Sequence, residues 1–385
     1  MKILLKNAFV FPVVEKPFKG DVLIQDGKIR ELGQKIKATK GVEVIDLEGK
    51  YLFPGFIDAH SHIGLYPEGL GNTESEGNEM TDPVTAHLFA LDAFYPDDVA
   101  VNRALRGGVT TAFVVMGSAN PVGGQGFIAK FKKGTAAEMC IVNPAGVKMA
   151  FGENPKRVYS EKKIMPTTRM GTAAVVRTFL LKSRDYMKKK ELATKEGKEF
   201  TDTDPKYEVG EKLLKGELVA RIHAHRADDI LTAIRIAEEF NLKFVIEHCT
   251  EGYKVADLLV QKKVPAVAGP LLTFATKLEL RDMTMESLSI LVQKGVLVAL
   301  MCDHPVIPLE FATVQAAAAM RYGMKEEELL KMLTENPAKI LGLWNRIGSI
   351  EPGKDADLVV WSAHPFDMKS VVEKVFIDGD IVYQK

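Results

Sequence analysis

Apolar and polar positions fall into two rhythms along this chain. At the ends the runs are short and β-rich: residues 2–11, 21–25 and 42–47, separated by turn signals such as Asp26-Gly27 and Glu48-Gly49. Residues 356–361 read as another strand. Residues 375–377 and 381–383 read as a hairpin across Asp378-Gly379-Asp380. Chain termini often lie close together, so the two β segments are expected to pair. In the middle, strand-like runs at 56–59, 110–115, 218–224, 243–247, 264–268 and 296–302 alternate with helical periodicity at 97–106, 228–240, 253–262 and 285–294. This alternation predicts a parallel sheet with right-handed crossovers. Polar residues cluster just after successive strands, which favours a closed barrel over an open sheet. The expected architecture is an α/β fold: a (β/α)₈ TIM-like barrel over 55–344, and a small β-sandwich built from 1–54 with 345–385.

One stretch departs from the rhythm. Residues 153–215 are rich in Lys, Glu and Thr, with Lys188-Lys189-Lys190 as the densest charge. They read as a solvated surface insertion after a barrel strand, burying few apolar groups. A lid over the mouth is the sharper reading.

Composition narrows the chemistry. The 385 residues carry 51 Lys+Arg and 51 Asp+Glu, so no broad field points to nucleic acid or membrane. The apolar runs are strand-sized and too short to span a bilayer. The start reads as a strand rather than a signal peptide. Three cysteines without paired spacing fit a reducing compartment, which predicts a cytoplasmic protein. A small-molecule substrate is the expected partner, and a homo-oligomer is left open.

The candidate chemistry lies at strand ends. His60 and His62 close the run Phe56-Ile57-Asp58-Ala59-His60-Ser61-His62, and alternate strand residues point the same way. Two imidazoles facing one point form part of a site for a divalent metal, zinc before others. His223 with His225, His248 and Asp303 end three later strands. Five of the eight histidines therefore sit at three strand ends. Barrel closure would gather them at one mouth, where such a cluster is costly unless it binds metal. Lys148 interrupts an apolar strand-like run. It either reaches solvent or is carbamylated, its new carboxylate bridging two metals. Glu153 in the next loop is the alternative bridging ligand or a substrate contact. Cys249 and Cys302 read as buried structural thiols. Gly123-Gly124-Gln125-Gly126 lacks the Lys and Ser/Thr of a phosphate loop.

These motifs together resemble the amidohydrolase superfamily. Pro54-Gly55-Phe56-Ile57-Asp58-Ala59-His60-Ser61-His62 is similar to its first-strand signature, and Gly107-Gly108-Val109-Thr110-Thr111 to its second-strand entry. The stretches beginning at Asn336-Pro337-Ala338 and Gly348-Ser349-Ile350 are similar to its C-terminal signature. The imidazolonepropionase-like group and its metal-dependent dipeptidase relatives look nearest. The resemblance implies His60 and His62 on one metal and His223 and His248 on a second. It implies a strand-four carbamylated lysine at Lys148, Asp303 as ligand and general base, and His225 against substrate. Arg226 stands where single-metal deaminases of the superfamily carry a Glu three residues after the strand-five histidine.

The implied activity is hydrolysis of an amide-like C–N bond, cyclic or linear, by metal-activated water, with one or two ions per chain. The alternatives are a single-metal deaminase or imidazolonepropionase-like cyclic-amide hydrolase, and, more remotely, a non-catalytic scaffold.

Overall fold

The computed structural model describes residues 2–385. Its strands form two sheets of eight. The first takes β1 (Lys2–Val10), β2 (Phe18–Gln25), β3 (Lys28–Gly33), β4 (Glu43–Asp46) and β5 (Tyr51–Pro54) from the start of the chain. The second comprises β6 (Phe56–Ser61), β7 (Val109–Val114), β8 (Val122–Lys130), β9 (Cys140–Ala150), β10 (Ala220–Ala224), β11 (Phe244–His248), β12 (Ala266–Ala268) and β13 (Val298–Leu300). β14 (Leu358–Trp361), β15 (Val372–Ile377) and β16 (Asp380–Gln384) return to the first sheet, in which β14 pairs antiparallel with β5. Both chain ends therefore enter one continuous hydrogen-bonded sheet rather than two separate ones. Its hairpins match the turns expected at Asp26-Gly27 and Asp378-Gly379, and the strands between them pack Ile3, Leu5, Val22, Leu358 and Phe376 into one apolar cluster.

The second sheet runs β6 to β13 in chain order and nearly closes. Across the seam, the Cys302 N–H donates to Asp58 Oδ2 at 2.8 Å, and the His62 N–H to the His304 carbonyl at 3.0 Å. β6, β7, β8 and β10 are buried at every position, as strands packed on both faces require. One expectation is corrected here. The sheet is not uniformly parallel, because β8 runs antiparallel to both β7 and β9. Its connections are too short for a helical crossover: residues 115–121 on one side, and 131–139 with a four-residue helix on the other.

The reversal sends the start of β8 to the end of the barrel where its neighbours finish. Gly123-Gly124-Gln125-Gly126 lies there as strand, and two of its glycines make room for packing. A Cβ on Gly123 would lie 3.3 Å from Lys148 Cβ, and one on Gly124 would lie 2.5 Å from the Leu88 carbonyl oxygen.

The charged stretch 153–215 also differs from expectation. It folds into helices Glu153–Glu161, Arg169–Lys195 and Pro205–Leu214, joining β9 to β10. Val176, Phe179, Leu180, Val209 and Leu213 from these helices are buried in the main hydrophobic core. The Lys and Glu residues occupy the outer face of a layer whose inner face is apolar, so composition hid a 3.6-residue stripe. No helix among the described residues is long and apolar enough to cross a membrane.

Candidate metal centre

The seven parallel strands finish at one end of the barrel, and the polar residues expected there converge. His60 lies in β6 and His62 just beyond it, His223 in β10 and His225 just beyond it. His248 ends β11, and Asp303 follows β13. Two sets of donor atoms each fall within 4.8 Å of one another: His60, His62 and Asp303, and His223, His225 and His248. The rings of His60 and His248, one from each set, are 5.3 Å apart, so the two sets adjoin. His225, assigned above to substrate, here joins the donors of His223 and His248.

Four of the five rings have a partner on Nδ1, His223 being the exception. His60 Nδ1–H donates to Glu247 Oε2 at 2.9 Å, His62 Nδ1–H to the Val115 carbonyl at 2.6 Å, and His248 Nδ1–H to the Gly269 carbonyl at 3.2 Å. A neutral imidazole that donates from Nδ1 keeps a lone pair on Nε2, the form a metal requires. His225 Nδ1 lies 2.8 Å from Thr250 Oγ1. Burial holds the pKa values of His223 and His225 well below the usual histidine value and pulls His248 down to about 3. Burial alone would raise Asp303, but His248, His60 and His62 outweigh it and keep the carboxyl well below its ordinary value. Asp303 Oδ1 lies 3.2 Å from His62 Nε2 and 3.4 Å from His60 Nε2.

Several buried polar atoms here lack a hydrogen-bond partner: both ring nitrogens of His223, His225 Nε2 and Asp303 Oδ1. Buried groups of this kind are normally satisfied, so unpartnered atoms on three residues that line one cavity call for a ligand. Imidazole and carboxylate donors of this number suit a divalent ion of zinc type. His248, Cys249 and Asp303 also have φ of 67°, 51° and 53°, the left-handed region that non-glycine residues avoid. Strain of this kind persists where surrounding structure over-determines it, commonly at functional sites.

Lys148 is fully buried in β9, its Nζ 3.2 Å from His60 Nε2. Among the described residues no carboxylate lies within ion-pair distance of it, and burial pulls its pKa down to about 8. Glu153 is not brought to the centre. It opens the helix Glu153–Glu161, and its N–H donates to Glu279 Oε2 at 2.9 Å. Its side chain does not line the cavity above the donors. Arg226 also turns away, its guanidinium forked onto Asp228. Cys249 and Cys302 are buried thiols that burial holds protonated, as expected.

Several residues of the site were not anticipated. Glu247 and Arg221 are both buried and ion-paired beneath His60, and Arg221 stacks 4.4 Å from the Phe113 ring. Burial disfavours the Glu247 charge, but Arg221 and His60 outweigh it and hold the carboxyl at about 2. Asp58 accepts the His60 N–H at 2.9 Å and so ties β6 to the seam. Glu247 and Arg221 carried the same signal as Lys148: a charged residue inside an apolar strand. Above the donors lies a cavity of about 440 Å³ lined by Tyr66, Asn78, Ser118, Asn154, Lys277 and Val306, among others. Tyr66, Asn78 and Lys277 sit in loops and carried no local signal.

Comparison with known proteins agrees with this geometry. Residues 51–382 match the family described as Amidohydrolase family. Amidohydrolase tasK of Hapsidospora irregularis is 28% identical over 94% of this chain, which spans only 39% of that protein's length. Imidazolonepropionase of Thermoplasma volcanium is 23% identical over the whole chain and 98% of its own length. Among solved structures, an amidohydrolase from Thermotoga maritima MSB8 superposes with a TM-score of 0.98 at 66% identity, covering all of both chains. A prolidase complexed with N-methylphosphonate-L-proline shares the fold across both chains, with a TM-score of 0.66 at 18% identity. With the family match covering most of its length and the donors gathered at one mouth of a barrel, this chain belongs to the amidohydrolase family.

Proposed function

We propose that the protein hydrolyses an amide-like C–N bond at a two-ion centre. His60, His62 and Asp303 would hold one ion. His223 and His248, with His225 beside them, would hold the other. Lys148, as its carbamate, would supply the bridge. The observation that carries this reading is the pair of adjoining donor sets, in which His223, His225 and Asp303 line one cavity and keep unpartnered buried atoms.

The bridge rests on charge. An ammonium at Lys148 would repel cations and is costly to bury without a carboxylate partner. Addition of CO₂ to the free amine forms an N–C bond and releases a proton, leaving one negative charge and two oxygen ligands. Glu153, the other candidate, has its backbone tied to Glu279 and lies outside the cavity lining.

A bound divalent ion lowers the pKa of water from ~16 toward ~7 and polarises the scissile carbonyl. The chain's own residues do the rest. Asp303, kept ionised and facing the cavity, accepts the proton of the attacking water and passes it to the leaving nitrogen. Tyr66 accepts a hydrogen bond from Asn78 Nδ2 at 2.6 Å, so its own O–H is free to donate toward the carbonyl oxygen. Burial raises the Tyr66 pKa to about 12, which keeps that proton in place at neutral pH. Glu247 and Arg221 orient His60 from below.

Metal analysis of the purified protein, with a hydrolysis panel of linear amides, dipeptides, lactams and esters, tests this reading. Two divalent ions per chain and turnover of C–N bonds are expected. A folded, metal-loaded protein that hydrolyses nothing across the panel would overturn it. One ion per chain with deamination would favour the single-metal alternative.

A further inference from the structure

The charges around the cavity narrow the substrate further, on the basis of the C–N hydrolase reading above. Among the described residues lining the cavity, Asp303 is the one carboxylate and Lys277 the one ammonium. The rest of the polar wall is neutral, built from side chains such as Asn78, Ser118, Asn154 and Thr273.

Lys277 stands in the loop after β12 and is anchored there. Its Nζ pairs with Glu279 Oε1 at 2.5 Å and lies 3.4 Å from Asn154 Oδ1. Glu279 is itself only 1% exposed and accepts the Glu153 N–H. The backbone makes space for it. Gly152 has φ of +89°, and a Cβ there would lie 2.6 Å from Glu279 Oε2. This carboxylate is thus built into the wall as the seat of the lysine, whose side chain keeps 21% of its surface exposed.

Glu279 Oε1, the oxygen paired with Lys277, lies 3.6 Å from His225 Nε2. Glu279 Oε1 therefore lies between the Lys277 ammonium and His225 and balances the lysine's charge. With Glu279 and Asn154 holding it from the wall side, the ammonium has donor capacity left for a carboxylate that enters from the cavity. In an N-acyl amino acid the α-carboxylate is two bonds from the scissile nitrogen, so it reaches this position while the carbonyl sits over the donors.

We propose that Lys277 recognises the free α-carboxylate of a linear N-acyl amino acid whose acyl part is uncharged. Water adds to the acyl carbon, the C–N bond breaks, and the proton delivered through Asp303 goes to the nitrogen. The products are a carboxylic acid and a free amino acid. A free α-ammonium on the acyl side finds no carboxylate in the lining other than Asp303, which already has a role.

The test pairs N-acetyl-L-leucine with N-acetyl-L-leucinamide, which differ at the carboxylate. The metal-loaded protein should prefer the acid. Lys277→Gln keeps a hydrogen bond to Glu279 but loses the charge, and should lower kcat/KM on the acid on the order of 10²-fold, mainly through KM. The acid-to-amide ratio should then collapse toward one, and Lys277→Arg should restore most of it. Calorimetric binding of both compounds to Asp303→Asn, with and without Lys277→Gln, reads recognition without turnover and should give the same ratios.

Equal loss on acid and amide in Lys277→Gln, or a wild-type preference for the amide, would overturn the proposal. Hydrolysis of lactams but of neither acyl compound would overturn it while leaving the C–N hydrolase reading standing. If nothing is hydrolysed, that reading falls, and the calorimetric ratio alone decides the role of Lys277.

Discussion

Two fully buried lysines in the same barrel sheet have opposite surroundings. Lys130, at the far end of β8, holds Asp355 at 2.7 Å, Asp357 at 2.9 Å and Asp378 at 2.5 Å. Lys28 and Arg346 close the network from outside. Lys148, in the neighbouring strand, has no carboxylate at ion-pair distance among the described residues and faces a histidine nitrogen instead. The Lys130 cluster sets one cation among three carboxylates and locks the barrel to the sheet of the chain ends. The Lys148 cluster leaves its donors open. Buried charge by itself therefore does not mark function, whereas several metal-ligating donors gathered at one mouth do.

The largest expected effect lies at the open cluster. Asp303→Asn preserves shape and removes the base, so turnover on an identified substrate should drop about 10²–10⁴-fold, with the melting temperature nearly unchanged. Near-wild-type turnover would remove Asp303 from the mechanism.

At the closed cluster the effect should fall on stability. Lys130→Met leaves three carboxylates without their shared cation and should cost on the order of 3–5 kcal/mol in chemical denaturation. Wild-type stability in that variant would mean that the network is incidental.

A site outside both clusters calibrates the scale. Phe179→Ala, in the helix Arg169–Lys195, should cost roughly 3–5 kcal/mol through the cavity it leaves. A negligible loss would restore the view of residues 153–215 as a detachable surface segment.

The smallest effect sharpens the contrast between the lysines. Lys148→Met in metal-free protein removes a buried amine held only by the His60 ring and should leave stability unchanged or raised. The metal content of the same variant should fall from near two to near one. A large loss of metal-free stability would show that Lys148 has a structural partner like that of Lys130.

The two clusters also differed in how well sequence revealed them. Histidines and an aspartate at strand ends are readable because strand periodicity fixes their direction and barrel closure fixes their meeting place. Glu247 and Arg221 were readable in principle, as charges inside apolar strands. The Lys130 network was not, since its partners lie 225 to 248 residues away in the chain. Lys277 and Glu279 were hidden for the same reason: a loop has no period, and only the fold brings it to the mouth. The reversal of β8 escaped because a buried strand reads alike in either direction. The helices of 153–215 escaped because charge density masked the stripe carrying Val176, Phe179 and Leu180.

The account stands most directly on whether the open cluster takes two ions around a modified Lys148. A crystal structure of zinc-loaded protein, with anomalous density at the zinc edge, measures this. The account predicts two peaks, each about 2.0–2.2 Å from histidine nitrogens, one at His60 and His62 and the other at His223 and His248. Continuous density for a carbamate on Lys148 should run between them. A single peak beside an unmodified Lys148 amine would contradict it.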